Sequence, residues 1–408
     1  MQQNLRLWLK RGLVWGLMGG LILALLRVPL PISVSSGASG EVRGVWLTNV
    51  NSGVLFVPWG IQRAIASLAK MQFNTVYPVV WNRGDTFYPS EVVQGVTGRK
   101  QQPLYNIMHW GTDAFEQLLQ QSHRQGLRVI PWFEYGLMTP KNSLLAQRHP
   151  DWLTHNIDHS DVPYEGIAEN PPDFWLNRLL ESSLGIQQQW LNPFHPEVQD
   201  FIKGMIVELV SQYDVDGIQL DDHFGLPVEM GYDSYTVELY KQEHQGQKPP
   251  LNYYNPRWMG WRANKLTEFM GDIYQAVKTV NPDCIVSLSP NSQSYSYQHS
   301  LQNWRSWVER GYVDELVLQV YRNKRDRFLQ ELHQPAVQFA RSRIPVSIGI
   351  LSGVLSKPVS IEQIKNQVQI VRQEDFSGVS FFYWESLWGY ITPNSPETRR
   401  KGFQELFK

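Results

Sequence analysis

The segment VDGIQLDDHF (215–224) runs from apolar, β-branched residues straight into two adjacent carboxylates and an imidazole. Strand residues alternate between two faces, so Gln219 and Asp221 share one face while Ile218 and Leu220 take the other. Asp221 then aims at whatever that face encloses, and Asp222 falls just past the strand end. A second stretch, LRVIPWFE (127–134), ends on Glu134, which shares its parity with Ile130 and Trp132. Neighbouring strands lie ~4.8 Å apart, so Glu134 and Asp221 on adjacent strands would stand close together. Two carboxyl groups so placed suit glycosidic bond hydrolysis, one as acid and one as nucleophile or base. Their mutual repulsion raises one pKa and keeps one proton near neutrality. Asp221, Asp222 and Glu134 are therefore the candidate catalytic residues.

Other chemistries fit less well. Asp221, Asp222 and His223 resemble a metal ligand set, but metal-dependent barrel hydrolases carry an H-x-H pair after the first strand. Here that position reads Trp46-Leu47-Thr48-Asn49. Neither a G-x-S-x-G nucleophile elbow nor a glycine-rich phosphate loop is present. The single cysteine, Cys284, rules out an intrachain disulfide and a cysteine-based zinc site, and its place on a strand makes it a buried thiol. No metal and no cofactor is expected.

Positioning these carboxylates requires a scaffold, and the periodicity supplies one. Strand-like runs occur at 42–48, 75–81, 127–134, 215–222, 284–289, 314–321, 345–351 and 378–384. Each is followed by a segment of helical period: about 59–71, 112–126 with Thr112 as N-cap, from Pro196 onward, 257–280, 301–310, 326–341, 361–374 and 396–407. In the third helix Val198, Phe201, Ile202, Met205, Ile206 and Leu209 form the apolar stripe. Eight alternating pairs predict a (β/α)8 TIM barrel, an α/β fold. Helix-to-strand turns are short, whereas the strand-to-helix connections 82–111, 135–195 and 222–256 are long. In a barrel these three loops lie at the C-terminal mouth of the strands and should wall one deep cleft.

The strand ends bring further polar and aromatic groups to that mouth. Trp46 and Asn49 end the first strand, Tyr77 and Trp81 the second, and Trp132, Glu134 and Tyr135 the third. Gln219 and His223 flank the two aspartates, Asn291 follows the fifth strand, Gln319 and Tyr321 end the sixth, and Trp384 and Glu385 the eighth. Asp85 and Asn192 come from the long loops. Aromatic rings meet the C–H faces of sugars, and amides and carboxylates meet their hydroxyls. A polysaccharide substrate is the expected partner.

Composition agrees with a packed globular chain: 408 residues, 12% aromatic, 16 of them Trp, and 18% charged. With 37 basic and 38 acidic side chains the net charge is near zero, which removes the simplest case for nucleic acid. The start of the chain differs from the rest. Arg6, Lys10 and Arg11 precede an apolar run at 13–26, and a polar, small-residue stretch follows to residue 40. This predicts export to the periplasm or the outer face of the cytoplasmic membrane. Residues 13–26 serve either as a signal peptide or as a membrane tether. Residues 1–40 are then a targeting segment plus linker, and 41–408 the barrel.

Several stretches, in order, resemble the glycosyl-hydrolase-like 10 family of bacterial envelope proteins. They are EVRGVWLTNVNSGVLF, FNTVYPVVWNRGDTFYPSEV, WLNPFHPEVQDFI, YDVDGIQLDDHF and DELVLQVYRN, spanning about 41–390. The resemblance implies a barrel related to retaining glycosidases, acting on peptidoglycan glycan stripped of stem peptides, with envelope or division proteins as possible partners. Relatives often carry His at position 219, Tyr at 223 and Asn at 134. Where Asn suffices at 134, Asp222 or Glu385 takes the acid role. The D-G-x-x-x-D spacing of Asp216, Gly217 and Asp221 is similar both to amylase-type barrels, whose final Asp is the nucleophile, and to chitinase-type barrels, whose substrate assists. A barrel that binds glycan without cleaving it is the alternative reading.

Overall fold

The computed structural model describes residues 40–408 except 51, 162, 164–186, 355–356 and 389–391. Residues 1–39, which include the expected signal peptide or tether at 13–26, lie outside the described residues. Among the described residues no helix is long and apolar enough to cross a membrane.

Among the described residues eight parallel strands form the main sheet: β1 (Val42–Leu47), β2 (Thr75–Pro78), β3 (Arg128–Val129 and Trp132–Phe133), β4 (Gly217–Asp221), β5 (Ile285–Ser289), β6 (Glu315–Gln319), β7 (Val346–Leu351) and β8 (Gly378–Phe382). β3 is split because Pro131 has no N–H to give the ladder. Its first piece pairs with β2 (Thr75 opposite Arg128) and its second with β4 (Trp132 opposite Gln219). At the other seam β1 pairs with β8. The two ends of the nine-piece sheet are thus halves of one strand, and the sheet curls into a ring of eight. The backbone N–H of Gln219 donates to the Pro131 carbonyl at 2.8 Å, so the interruption does not open the seam.

Helices follow the strands: α1 (Pro58–Lys70), α2 (Ala114–Arg124), α3 (Pro196–Gln212), α4 (Pro256–Val280), α5 (Trp304–Glu309), α6 (Pro335–Arg341), α7 (Ile361–Gln373) and α8 (Pro396–Leu406). Proline opens α1, α3, α4, α6 and α8, where its missing N–H would have had no partner anyway. All six stripe residues of α3 named from the sequence are buried. Each such apolar side chain contributes about 1.5–3 kcal/mol by leaving water.

Three local readings change. The cap of α2 is Asp113, which accepts from the Glu116 N–H, while the Thr112 hydroxyl donates to the His109 carbonyl at 2.7 Å. The helix expected over 326–341 breaks before Pro335, leaving Arg325–Leu332 ahead of α6. The stretch ahead of α5 holds its own helix, Gln293–Ser300, which the polar run QSYSYQHS conceals.

The barrel interior is partly polar at one level. Trp46 Nε1 donates to Gln219 Oε1 at 2.7 Å, Gln219 Nε2 to Ser287 Oγ at 3.0 Å, and Ser287 Oγ to Glu315 Oε1 at 3.2 Å. Arg128 closes the chain on Glu315 at 3.1 Å. Gly44 makes room beside this layer, since a Cβ there would stand 2.4 Å from Ser380 Oγ and 2.6 Å from the Tyr77 ring.

Candidate active site

β4 delivers the acid cluster. Asp221 points inward as alternation requires and is 1% exposed. Its Oδ2 accepts the Trp132 indole N–H at 3.0 Å, and its Oδ1 accepts the backbone N–H of His223 at 2.9 Å. Gln302 Nε2 donates to the Asp221 carbonyl at 2.8 Å and pins the strand end. The His223 side chain folds back, placing Nδ1 3.3 Å from Asp221 Oδ1 and 4.0 Å from Asp222 Oδ1. Burial pushes the imidazole pKa down, but the carboxylates of Asp221, Asp222 and Glu134 outweigh it and lift it to about 10. His223 is therefore a cation at neutral pH.

Asp222 is the carboxyl group of the β4 pair that solvent reaches, with 16% of its side chain exposed. Asn291 Nδ2 donates to its Oδ2 at 2.9 Å and Gln319 Nε2 to its Oδ1 at 3.0 Å. Those amides follow β5 and end β6, so three successive strands orient one carboxylate. Tyr321 stands nearby; burial, then Asp222 and Asp221, hold its phenol well above the ordinary range, so it keeps its proton.

Glu134 follows β3 and is buried. Asn82 Nδ2 donates to its Oε2 at 2.6 Å, and Thr48 Oγ1 donates to the same oxygen at 3.1 Å. Burial first, and Asp221 second, push its pKa up to about 7. Burial likewise raises Asp221 to about 6 against the pull of His223. Two carboxyl groups thus titrate near neutrality, as a confined, like-charged set should. The loop after β3 lies directly against this cluster. At Gly136 (φ +49°) a Cβ would meet the His223 carbonyl carbon at 2.6 Å, so only glycine lets the two backbones approach.

The remaining residues named from the sequence divide into two groups. Asn291, Gln319, Tyr321, Tyr135 and His223 gather with the acids, and Tyr135 lies 6.1 Å from the His223 ring at 30°. Trp384 is half-buried against Trp388. By contrast Trp46, Tyr77 and Trp81 are fully buried and fill the core beneath the site. Gln219 belongs to the polar layer described above. Asn192 fastens a loop: its Nδ2 donates to Asp233 Oδ1 at 2.8 Å and to Thr236 Oγ1 at 2.9 Å. Asp85 is paired with Arg99 at 2.7 Å. Glu385 accepts from the Ser52 hydroxyl and ties down the loop after β1, and Asn49 lies half-buried in that loop. Sequence reasoning passed over Thr48, Asn82 and Gln302. Thr48 shares the parity of Trp46, a signal that pointed inward all along.

Asp221, Asp222 and His223 also offer ligand atoms within 4.8 Å of one another. Without an ion between them, the raised imidazole pKa makes His223 a cation held between the two carboxylates.

Residues 41–372 match the glycosyl hydrolase-like 10 family. The chain belongs to that family. It is 21% identical over 347 residues to glycosyl hydrolase YngK of Bacillus subtilis (strain 168), covering 74% of this chain and 58% of that protein. It is 23% identical over 346 residues to glycosyl hydrolase DigH of Escherichia coli (strain K12), covering 71% and 68%. The chain thus spans little more than half the length of its Bacillus relative. Among solved structures, the glycoside hydrolase domain of PgaB (BpsB) from Bordetella bronchiseptica aligns with a TM-score of 0.59 at 16% identity, over 87% of this chain and 99% of that one. At that identity the likeness is one of fold, and the fold shared is the TIM barrel.

Proposed function

We propose that this protein hydrolyses glycosidic bonds in a cell-envelope polysaccharide, with peptide-free peptidoglycan glycan as its substrate. One observation carries the reading: three carboxyl groups, Glu134, Asp221 and Asp222, surround the His223 cation at the mouth of a glycoside-hydrolase barrel. In this reading Glu134 is the acid. Asn82 and the shorter of the two Thr48 contacts fall on its Oε2, and Thr48 reaches Oε1 only at 3.4 Å, so in this reading Oε1 holds the proton that passes to the departing glycosidic oxygen. Asp222, gripped by two amides and open to solvent, faces the anomeric carbon as nucleophile or as base for water. Asp221 is too deep to touch a sugar. It positions His223 and Trp132, and its charge favours the oxocarbenium-like transition state. The half-buried rings of Tyr321 and Trp384 supply apolar faces for the sugar.

Incubation of the purified protein with peptide-free glycan strands tests this. Released oligosaccharides support the proposal, whereas binding without products leaves a glycan-binding barrel that scaffolds envelope or division proteins. On this reading the protein works outside the cytoplasmic membrane, a location that the basic-then-apolar residues 1–26 support.

A further inference from the structure

A second concavity opens at the mouth end of the barrel, between the start of α4 and the helix Gln293–Ser300. It encloses about 470 Å³ and is lined by Tyr254, Pro256, Met259, Tyr297, Gln298 and His299. We propose that this groove is a distal subsite that holds a glycan strand away from the carboxylates and makes the protein prefer long chains. The choice of ligand rests on the polysaccharide reading above.

The lining chemistry fits a sugar. Tyrosine rings, a proline and a thioether present apolar surface for the C–H face of a pyranose, and Gln298 brings an amide for its hydroxyl or acetamido groups. The volume falls within the range of small-ligand sites. Tyr254 is 40% exposed and its ring packs on that of Tyr253 with centroids 4.6 Å apart. Tyr295 packs on His299 with centroids 4.4 Å apart, which sets the imidazole orientation in advance.

The helix Gln293–Ser300 that lines the groove is also fastened to the acid cluster. Asn291, whose side chain holds Asp222, accepts the Ser296 hydroxyl on its carbonyl at 3.2 Å. Gln302, just past the same helix, holds the Asp221 carbonyl. The backbone N–H of Val228 donates to the His299 carbonyl at 2.9 Å and straps the loop after β4 to the groove. Tyr297 lies six residues beyond Asn291, four of those steps within the helix, which is roughly 6 Å of helix rise. In this proposal a ligand filling both places is longer than a single sugar.

The experiment compares Tyr254→Ala with the wild-type chain on two substrates, long peptide-free glycan strands and a short chito-oligosaccharide. Tyr297→Phe serves as a folding control that keeps the ring. The expected result is a three- to ten-fold rise in KM for the long strands with kcat unchanged, and no change on the short substrate. Equal effects on both substrates, or none on either, overturn the groove. Should the wild-type chain cleave neither substrate, the hydrolase reading fails by itself. Cosedimentation with long strands then judges the groove: weaker retention of Tyr254→Ala upholds it, and unchanged retention overturns it.

Discussion

Replacing Asp221 by Asn tests the cluster most directly, because it keeps the shape and removes the charge. The carboxylate accepts from two donors on its two oxygens, the Trp132 indole and the His223 backbone N–H. An asparagine has one acceptor oxygen, so its NH2 must confront one of these donors. A buried donor left without a partner costs about 1–3 kcal/mol of stability. The electrostatic effect is larger for chemistry. Unit charges 3.3 Å apart interact by about 5 kcal/mol at an effective dielectric of 20 and by about half that at 40. His223 is 24% exposed, so the lower figure applies, equivalent to ~2 pKa units. The imidazole should then fall from about 10 toward ~8 and swing more freely. With the charge below the reacting carbon gone, turnover should drop by at least ~10²-fold. Glycan binding should persist, since Tyr321 and Trp384 are untouched. Reducing ends released from glycan strands, cosedimentation and thermal melting, all on one Asp221→Asn sample, measure the three effects. Wild-type turnover in a folded sample would refute the role given to Asp221 and the account of His223 as its ion-pair partner.

The pH profile should be a narrow bell. Glu134 must be protonated, so activity falls as pH rises through about 7, and Asp221 must be charged, so it falls as pH drops through about 6. These limbs belong to the coupled cluster; Glu134→Gln should abolish the alkaline limb together with most of the turnover, and a profile unchanged in that variant would remove Glu134 as the acid. Asp222→Asn should cost more turnover than Asp221→Asn, because it takes away the carboxylate that meets the sugar, and the two rates measured side by side decide the assignment. Gly136→Ala should lower stability by about 1–3 kcal/mol, from the positive φ and the backbone contact beside His223, as read by urea unfolding. Residues 1–40 fused to a reporter active only after export should give signal; a silent fusion would count against an envelope location.

The barrel was legible because its signals are redundant: eight strand-like runs, eight helical stripes and short return turns all require the same ring. The acid cluster was legible because parity is a strict rule. Asp221 and Glu134 share parities with Gln219 and Trp132, and those four side chains do converge. Parity says which way a side chain points, however, and nothing about how deep it sits. Trp46, Tyr77 and Trp81 point or fold inward as expected, yet they are buried. Trp46 stacks on Tyr77 and is edged by Trp132 and Phe382, while Trp81 opens a hairpin in the loop after β2 (Trp81–Asn82 with Asp85–Thr86) and packs on Phe201. The same hairpin brings Asn82 to Glu134. A pairing across 52 residues, made by a loop whose fold no local period announces, leaves no trace in one sequence. Depth also decides the division of labour within the Asp-Asp pair. One residue of chain separates a carboxylate at 1% exposure, suited to setting the field, from one open to solvent and suited to meeting a sugar.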